Sequence, residues 1–211
     1  MPTLLERPVD LSIIVPVYNL EKHLGPMLQS LKAQDFGGYN VEITFVLNNC
    51  TDNSKKVIED SGLPCSIINC EIQGCGPARN AGLDATTGKF IWFMDGDDWL
   101  LSHTAVRDAL DRSVKEDLDI LRIPFASNLF TRDYFSMVWQ YILKRDFVKE
   151  FRFPDYQPCE DDAYMEQVLR KRGLSPYNHL WLPHMNAPLY FYNYMREGSN
   201  MYRVIVKGEK I

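Results

Sequence analysis

The residues best suited to chemistry are Asp95, Asp97 and Asp98, which follow the apolar run Phe90-Ile91-Trp92-Phe93-Met94 with Gly96 among them. Such a run reads as a strand buried on both faces. An alternation of two then puts Asp95 and Asp97 on one side of the chain and Asp98 on the other. Like charges this close repel unless a cation lies between or in front of them, and carboxylate oxygens suit Mg²⁺ or Mn²⁺, ions that also hold phosphate. Gly96 would let a ligand approach the backbone closely. The alternative is a solvated acidic turn, which is the reading for the second Asp-x-Asp triplet, Asp117 and Asp119, in a polar helix-to-strand connection. A second acidic group, Glu160-Asp161-Asp162, opens a helix predicted to run to about Lys171. Acids there also satisfy the helix macrodipole, so an ordinary cap is the competing reading.

The elements that must position these groups follow from patterning. Leu11-Ser12-Ile13-Ile14-Val15-Pro16-Val17 is β-branched and almost wholly apolar, a central parallel strand closed by Pro16. Tyr18 and Asn19 fall at its mouth, with Asn19 able to cap a helix whose stripe is Leu20, Leu24, Met27, Leu28 and Leu31. A second strand over 41–47 leads through Asn48, Asn49, Cys50, Thr51 and Asp52 to a short helix over 53–61, and an edge-like strand follows over 66–69. Gly74-Cys75-Gly76-Pro77 reads as a break before a helix over 78–87 that Gly88 stops. Later come a helix over 104–116, a strand over 118–125, a mixed aromatic segment over 135–148 and a strand over 189–194. Repeated strand-helix units with right-handed crossovers collect Tyr18, Asn19, Asn48, Asn49, Asp95 and Asp97 at one sheet edge.

Composition narrows the class. The chain has 211 residues, 45% hydrophobic, and a net charge of -5, which disfavours a protein that coats nucleic acid. Five cysteines without a Cys-x-x-Cys pair read as free thiols in a reducing cytoplasm. No export signal or membrane-length apolar segment is seen, so a cytoplasmic protein is expected. No Gly-x-Gly-x-x-Gly or Gly-Lys-Ser/Thr signature follows the first strands, which disfavours a dinucleotide dehydrogenase or a P-loop ATPase.

In their order, Ile14-Val15-Pro16-Val17-Tyr18-Asn19, Asn48-Asn49-Cys50-Thr51-Asp52-Asn53-Ser54, Ala78-Arg79-Asn80-Ala81-Gly82-Leu83 and Phe93-Met94-Asp95-Gly96-Asp97-Asp98-Trp99 resemble a family 2 glycosyltransferase with the GT-A fold. Phe153-Pro154, Glu160-Asp161, Leu189-Tyr190 and Arg196-Glu197-Gly198-Ser199 extend the resemblance over nearly the whole chain. It implies an α/β architecture with a Rossmann-like, mostly parallel central sheet, helices on both faces and a smaller acceptor-side β/α part. A single domain over 1–211 is expected, its nucleotide-sugar half over about 1–100 and its acceptor half over about 101–211.

The same resemblance implies an inverting hexosyl- or N-acetylhexosaminyl-transferase. Its co-substrate would be a nucleotide-diphospho sugar, with a UDP-sugar the expected donor. Pro16, Tyr18, Asn19, Asn48 and Asn49 would hold the nucleoside, and Arg79 would reach base or phosphate. Asp95 and Asp97 would carry Mn²⁺ or Mg²⁺ on the diphosphate beside Gly96, and Asp161 would be the general base. Asp98, Trp99, Glu160 and Asp162 would line the acceptor side. Arg196 and Ser199 would grip the diphosphate from a C-terminal lid that orders with donor. The acceptor is open: a glycan, a protein or a hydroxymethylated DNA base. The family usually carries two aspartates where this chain has Asn48 and Asn49, and an amide both donates and accepts where a carboxylate only accepts. His184 is the one histidine placed to complete a metal site, against a structural role. Two rivals are a sugar-nucleotide-binding module without catalysis, disfavoured by the presence of Asp97 and Asp161, and a nucleotidyltransferase, disfavoured by the lack of a basic, Gly-rich first loop.

Overall fold

Along the first strand, β1 (Leu11–Val17), Leu11, Ile13, Val15 and Val17 enter one apolar cluster, and Ile14 enters another. The strand β2 (Val41–Asn48) divides likewise, with Ile43, Phe45 and Leu47 on one side and Val46 on the other. In β4 (Phe90–Phe93) Phe90 and Trp92 face the first cluster, Ile91 and Phe93 the second. A sheet apolar on both faces must be covered on both. The helices α1 (Leu24–Lys32), α2 (Ser54–Asp60) and α4 (Ala105–Lys115) cover one face; α3 (Cys75–Ala85) and α6 (Glu160–Lys171) cover the other.

The computed structural model describes residues 7–127, 137–155, 160–175 and 182–193. Its main sheet has six strands in the order β3-β2-β1-β4-β8-β6, where β3 is Ser66–Cys70, β8 is Tyr141–Lys144 and β6 is Ile120–Arg122. The strands β3, β2, β1 and β4 are parallel, and β8 runs antiparallel between β4 and β6. A smaller sheet has the order β5-β9-β7, formed by Trp99–Leu100, Tyr190–Tyr192 and Phe125–Ser127. A 3-10 turn, Val138–Gln140, and a short helix α5, Arg145–Val148, flank β8. None of the helices among the described residues is long and apolar enough to cross a membrane. Cys50, Cys65, Cys70 and Cys75 are free thiols.

Three expectations are corrected. The stretch expected as one strand over 118–125 is two, β6 in the main sheet and β7 in the small one, because Ile123 and Pro124 carry the chain from one sheet to the other. The helix expected from Ala78 begins at Cys75, so Gly76 and Pro77 lie in its first turn, where a proline is tolerated. There a side chain on Gly76 would run into the Pro154 carbonyl oxygen. Finally, α1 starts at Leu24 after a turn closed by His23 N–H to Leu20 O, so Asn19 is not its cap.

Candidate active site

The parallel strands β1, β2 and β4 end on one edge, and the loops there are tied to one another by hydrogen bonds. Asn19, in the left-handed region at φ 51°, accepts from Thr51 N–H (2.8 Å) and Asp52 N–H (3.3 Å). The Asp52 carboxylate accepts from Glu21 N–H (2.9 Å) and from Ser54 N–H and Oγ–H. These bonds hold the Asp52 carboxyl below the usual range against the opposing effect of burial. Ser54 Oγ in turn accepts from Leu20 N–H at 2.8 Å. Tyr18 is 50% exposed at this rim, with Pro16 half-buried beneath.

Asn48, expected to contact the nucleoside, is turned inward. Its amide donates to the carbonyls of Cys70 (3.1 Å) and Ile72 (2.7 Å), and its Oδ1 accepts from Gly74 N–H (2.8 Å). An aspartate could not make the two donor bonds, so this lock on the β3–α3 loop accounts for the amide at that position. Asn49 is exposed at φ 56° and donates to Glu71 O at 3.1 Å.

Beyond β4 the chain turns rather than continuing as a strand, with Asp98 N–H bonded to Asp95 O at 3.1 Å. The alternation in exposure survives the turn: Asp95, Asp97 and Trp99 are half-buried, Gly96 and Asp98 buried. A Cβ on Gly96 would stand 2.7 Å from Leu20 Cδ1, so the turn also packs closely on that side. Asp98, expected on the acceptor side, is 0% exposed. Its oxygens accept from Tyr190 O–H (2.8 Å) and Asn193 N–H (2.8 Å). Burial, then the neighbouring Asp97 and Asp95 charges, push its carboxyl well above the ordinary range. Trp99 stacks on Phe191 at 4.1 Å between centroids.

The centre of the site is Arg79, on the buried side of α3 and 2% exposed. Its guanidinium donates to Asp95 Oδ1 (3.0 Å), to Glu160 Oε1 (3.1 Å) and to Asp161 Oδ1, joining the β4 turn to the start of α6. It also lies 5.4 Å from the Phe153 ring centroid. Burial opposes the guanidinium charge, but Asp161, Cys75, Asp95 and Glu160 more than offset it. The Asp161 carboxylate bonds to groups outside its own helix. Besides Arg79 it accepts from Val138 N–H at 3.2 Å, and it is 8% exposed. Burial raises its pKa to about 7, with Glu160 and Asp95 adding to the rise and Arg79 and Val138 N–H opposing it. Asp162, next on the helix, is half-buried and shifted upward by burial and by Glu160.

Among the described residues no three His, Cys, Asp or Glu side chains are grouped to hold a metal by themselves. An ion at this turn would need substrate oxygens beside Asp97, which is how Mg²⁺ is commonly held. Asp95 is less available, being paired with Arg79. His184 is exposed, with Nδ1 3.2 Å from Leu182 O, and pairs by a backbone bridge with Arg122. The Asp117–Asp119 pair is bland: Asp117 pairs with Lys144 and Asp119 with Arg172. Arg196 and Ser199, with the lid they belong to, lie outside the described residues. The sequence marks Tyr190 only as part of the Leu189-Tyr190 pair and gives it no role in the site; its hydroxyl also accepts from Asp95 N–H at 3.0 Å. It stands in an aromatic run that reads as core filling, and nothing in its spacing singles out the hydroxyl.

Residues 12–171 match the model of the family described as Glycosyl transferase family 2. The poly(ribitol-phosphate) beta-N-acetylglucosaminyltransferase TarS of Staphylococcus aureus is 33% identical over 116 residues, covering 53% of this chain and 20% of TarS. Glycosyltransferase GlyA of Streptococcus pneumoniae is 36% identical over 93 residues, covering 43% of this chain and 13% of GlyA. The chain thus spans a fifth or less of these relatives' length. The solved structure of S. aureus TarS in complex with UDP-GlcNAc superposes at a TM-score of 0.77 and 22% identity, covering 92% of this chain and 61% of that one. The mannosyltransferase PcManGT of Pyrobaculum calidifontis, in complex with GDP-Man and Mn²⁺, superposes at 0.69 and 14% identity, covering 94% and 61%. These structures share the fold.

Proposed function

The chain belongs to glycosyl transferase family 2, with the GT-A architecture, and on that premise we propose that it transfers a sugar from a nucleotide-diphospho sugar to an acceptor hydroxyl with inversion. The observation that carries this reading is Arg79, which fastens the acidic turn after β4 to Asp161 at the head of α6. A donor-side acid and a candidate base are thereby held by one buried cation. A UDP-sugar is the proposed donor, in keeping with the UDP-GlcNAc bound by the TarS structure.

In the proposed reaction the acceptor oxygen attacks the anomeric carbon as the bond from that carbon to the diphosphate oxygen breaks. The acceptor proton passes to Asp161, whose raised pKa suits a base working near neutrality. The bonding electrons leave with the diphosphate. Asp97 is the proposed protein ligand for a divalent cation, which when bound would neutralise that departing charge. Tyr18 and Asn49 border the proposed nucleoside site, Trp99, Glu160 and Asp162 the acceptor side. Arg196 and Ser199 are proposed to grip the diphosphate. Arg79 acts in this scheme by orienting Asp95 and Asp161 rather than by touching base or phosphate.

The test is the rate of transfer to whichever acceptor the wild type glycosylates. Asp161→Asn should leave UDP affinity near wild type while transfer falls by at least about a hundredfold, the scale of a lost general base. An Asp161 variant that keeps most of its rate, with Glu160→Gln or Asp162→Asn inactive, would show that the base is elsewhere.

A further inference from the structure

We propose that Tyr190 is a positioning residue for the donor site: its hydroxyl sets the shape of the Asp95–Asp98 turn, and nucleotide affinity depends on it. This rests on the donor-site reading above and adds to it a residue from the far end of the chain. The ring is fully buried, stacked on Trp139 (4.9 Å, 11°) and tilted against Trp92 at 6.3 Å. Its backbone lies between β5 and β7, opposite Leu100 on one side and Phe125 on the other. A ring fixed on so many sides leaves its oxygen nowhere to go.

That oxygen meets the turn at both ends. It accepts from Asp95 N–H at 3.0 Å and donates to Asp98 Oδ2 at 2.8 Å, while Asn193 N–H, three residues on, reaches Asp98 Oδ1 at 2.8 Å. Asn193 Nδ2 also approaches the Asp97 carbonyl oxygen at 3.4 Å. Between these fixed points lie Gly96 and Asp97, the proposed metal ligand. Packing alone would be served as well by phenylalanine, and a hydroxyl buried this deeply is costly unless bonded. Here it is bonded to Asp95 and Asp98, which bracket the Gly96-Asp97 step that carries the proposed metal ligand.

Tyr190→Phe keeps the stacked ring and removes only the oxygen. Titrating UDP in the presence of Mn²⁺ at low temperature, where wild type and variant are both folded, should show affinity weakened about tenfold, the effect of one uncompensated buried hydrogen bond. Tyr164→Phe is the comparison, because the buried Tyr164 hydroxyl has no hydrogen-bond partner among the described residues; its UDP affinity should match wild type. Should Tyr190→Phe fail to fold, Asp98→Asn carries the test, since an amide cannot accept on both arms, and a weakening in the same direction is expected. UDP affinity unchanged in the folded variant would overturn the inference and leave the donor reading intact. A wild type that binds no UDP would sink both.

Discussion

At the scale of single residues, the site is a contest between burial and charge around Arg79. Asp161 loses hydration, which raises its pKa to about 7, while Arg79 and Val138 N–H pull the other way. Its surroundings are Arg79 from α3, Glu160 beside it on α6 and Asp95 from the turn after β4. A carboxyl with a raised folded pKa binds its proton more tightly folded than unfolded. Its contribution to stability is therefore complete below the unfolded value and is lost as pH rises through about 7. The ionised form that the proposed base needs fills over the same window, so activity should rise as this contribution falls. We expect kcat/KM to drop with one proton's dependence below about pH 7. In Asp161→Asn the residual rate should lose that limb, as read in a pH–rate profile. A limb that persists unchanged in the variant would assign it to another group.

At the scale of elements, α3 lies so close to β1 and β2 that glycine is required. A Cβ on Gly82 would collide with Ile14 Cγ2 and stand 3.3 Å from Val46 Cγ2. Gly82→Ala raises helix propensity by about 1 kcal/mol, yet overpacking of this contact should cost about 1–3 kcal/mol. Urea unfolding should show a net loss of stability; a gain would mean the helix shifts freely. This contact is also where legibility ran out. Strand β4, its acids and the extent of α6 could be read from local pattern, because apolar runs and helical spacing are local properties. The start of α3 at Cys75 could not, since Gly76 is dictated by Pro154, far along the chain. The same holds for Asn48, whose inward lock depends on Cys70, Ile72 and Gly74. Arg79 is legible from its motif, but its bonds to Asp95 and Asp161 depend on the fold bringing α3, the β4 turn and α6 together.

At the scale of the whole molecule, the large sheet presents its strand ends to one edge and the small sheet holds the last turn of that edge through Tyr190 and Asn193. Asp97 is the acid of the turn proposed to meet a ligand's charge. Asp95 is held by Arg79, and Asp98 by β9 and the residue after it. Asp117, paired with Lys144 in the other Asp-x-Asp triplet, is the internal comparison. The direct measurement is calorimetric titration of UDP into wild type, Asp97→Ala and Asp117→Ala, each with and without Mn²⁺. Binding to wild type and to Asp117→Ala that Mn²⁺ strengthens, and that Asp97→Ala loses while remaining folded, is the result predicted. Equal Mn²⁺-dependent affinity in wild type and Asp97→Ala would contradict it.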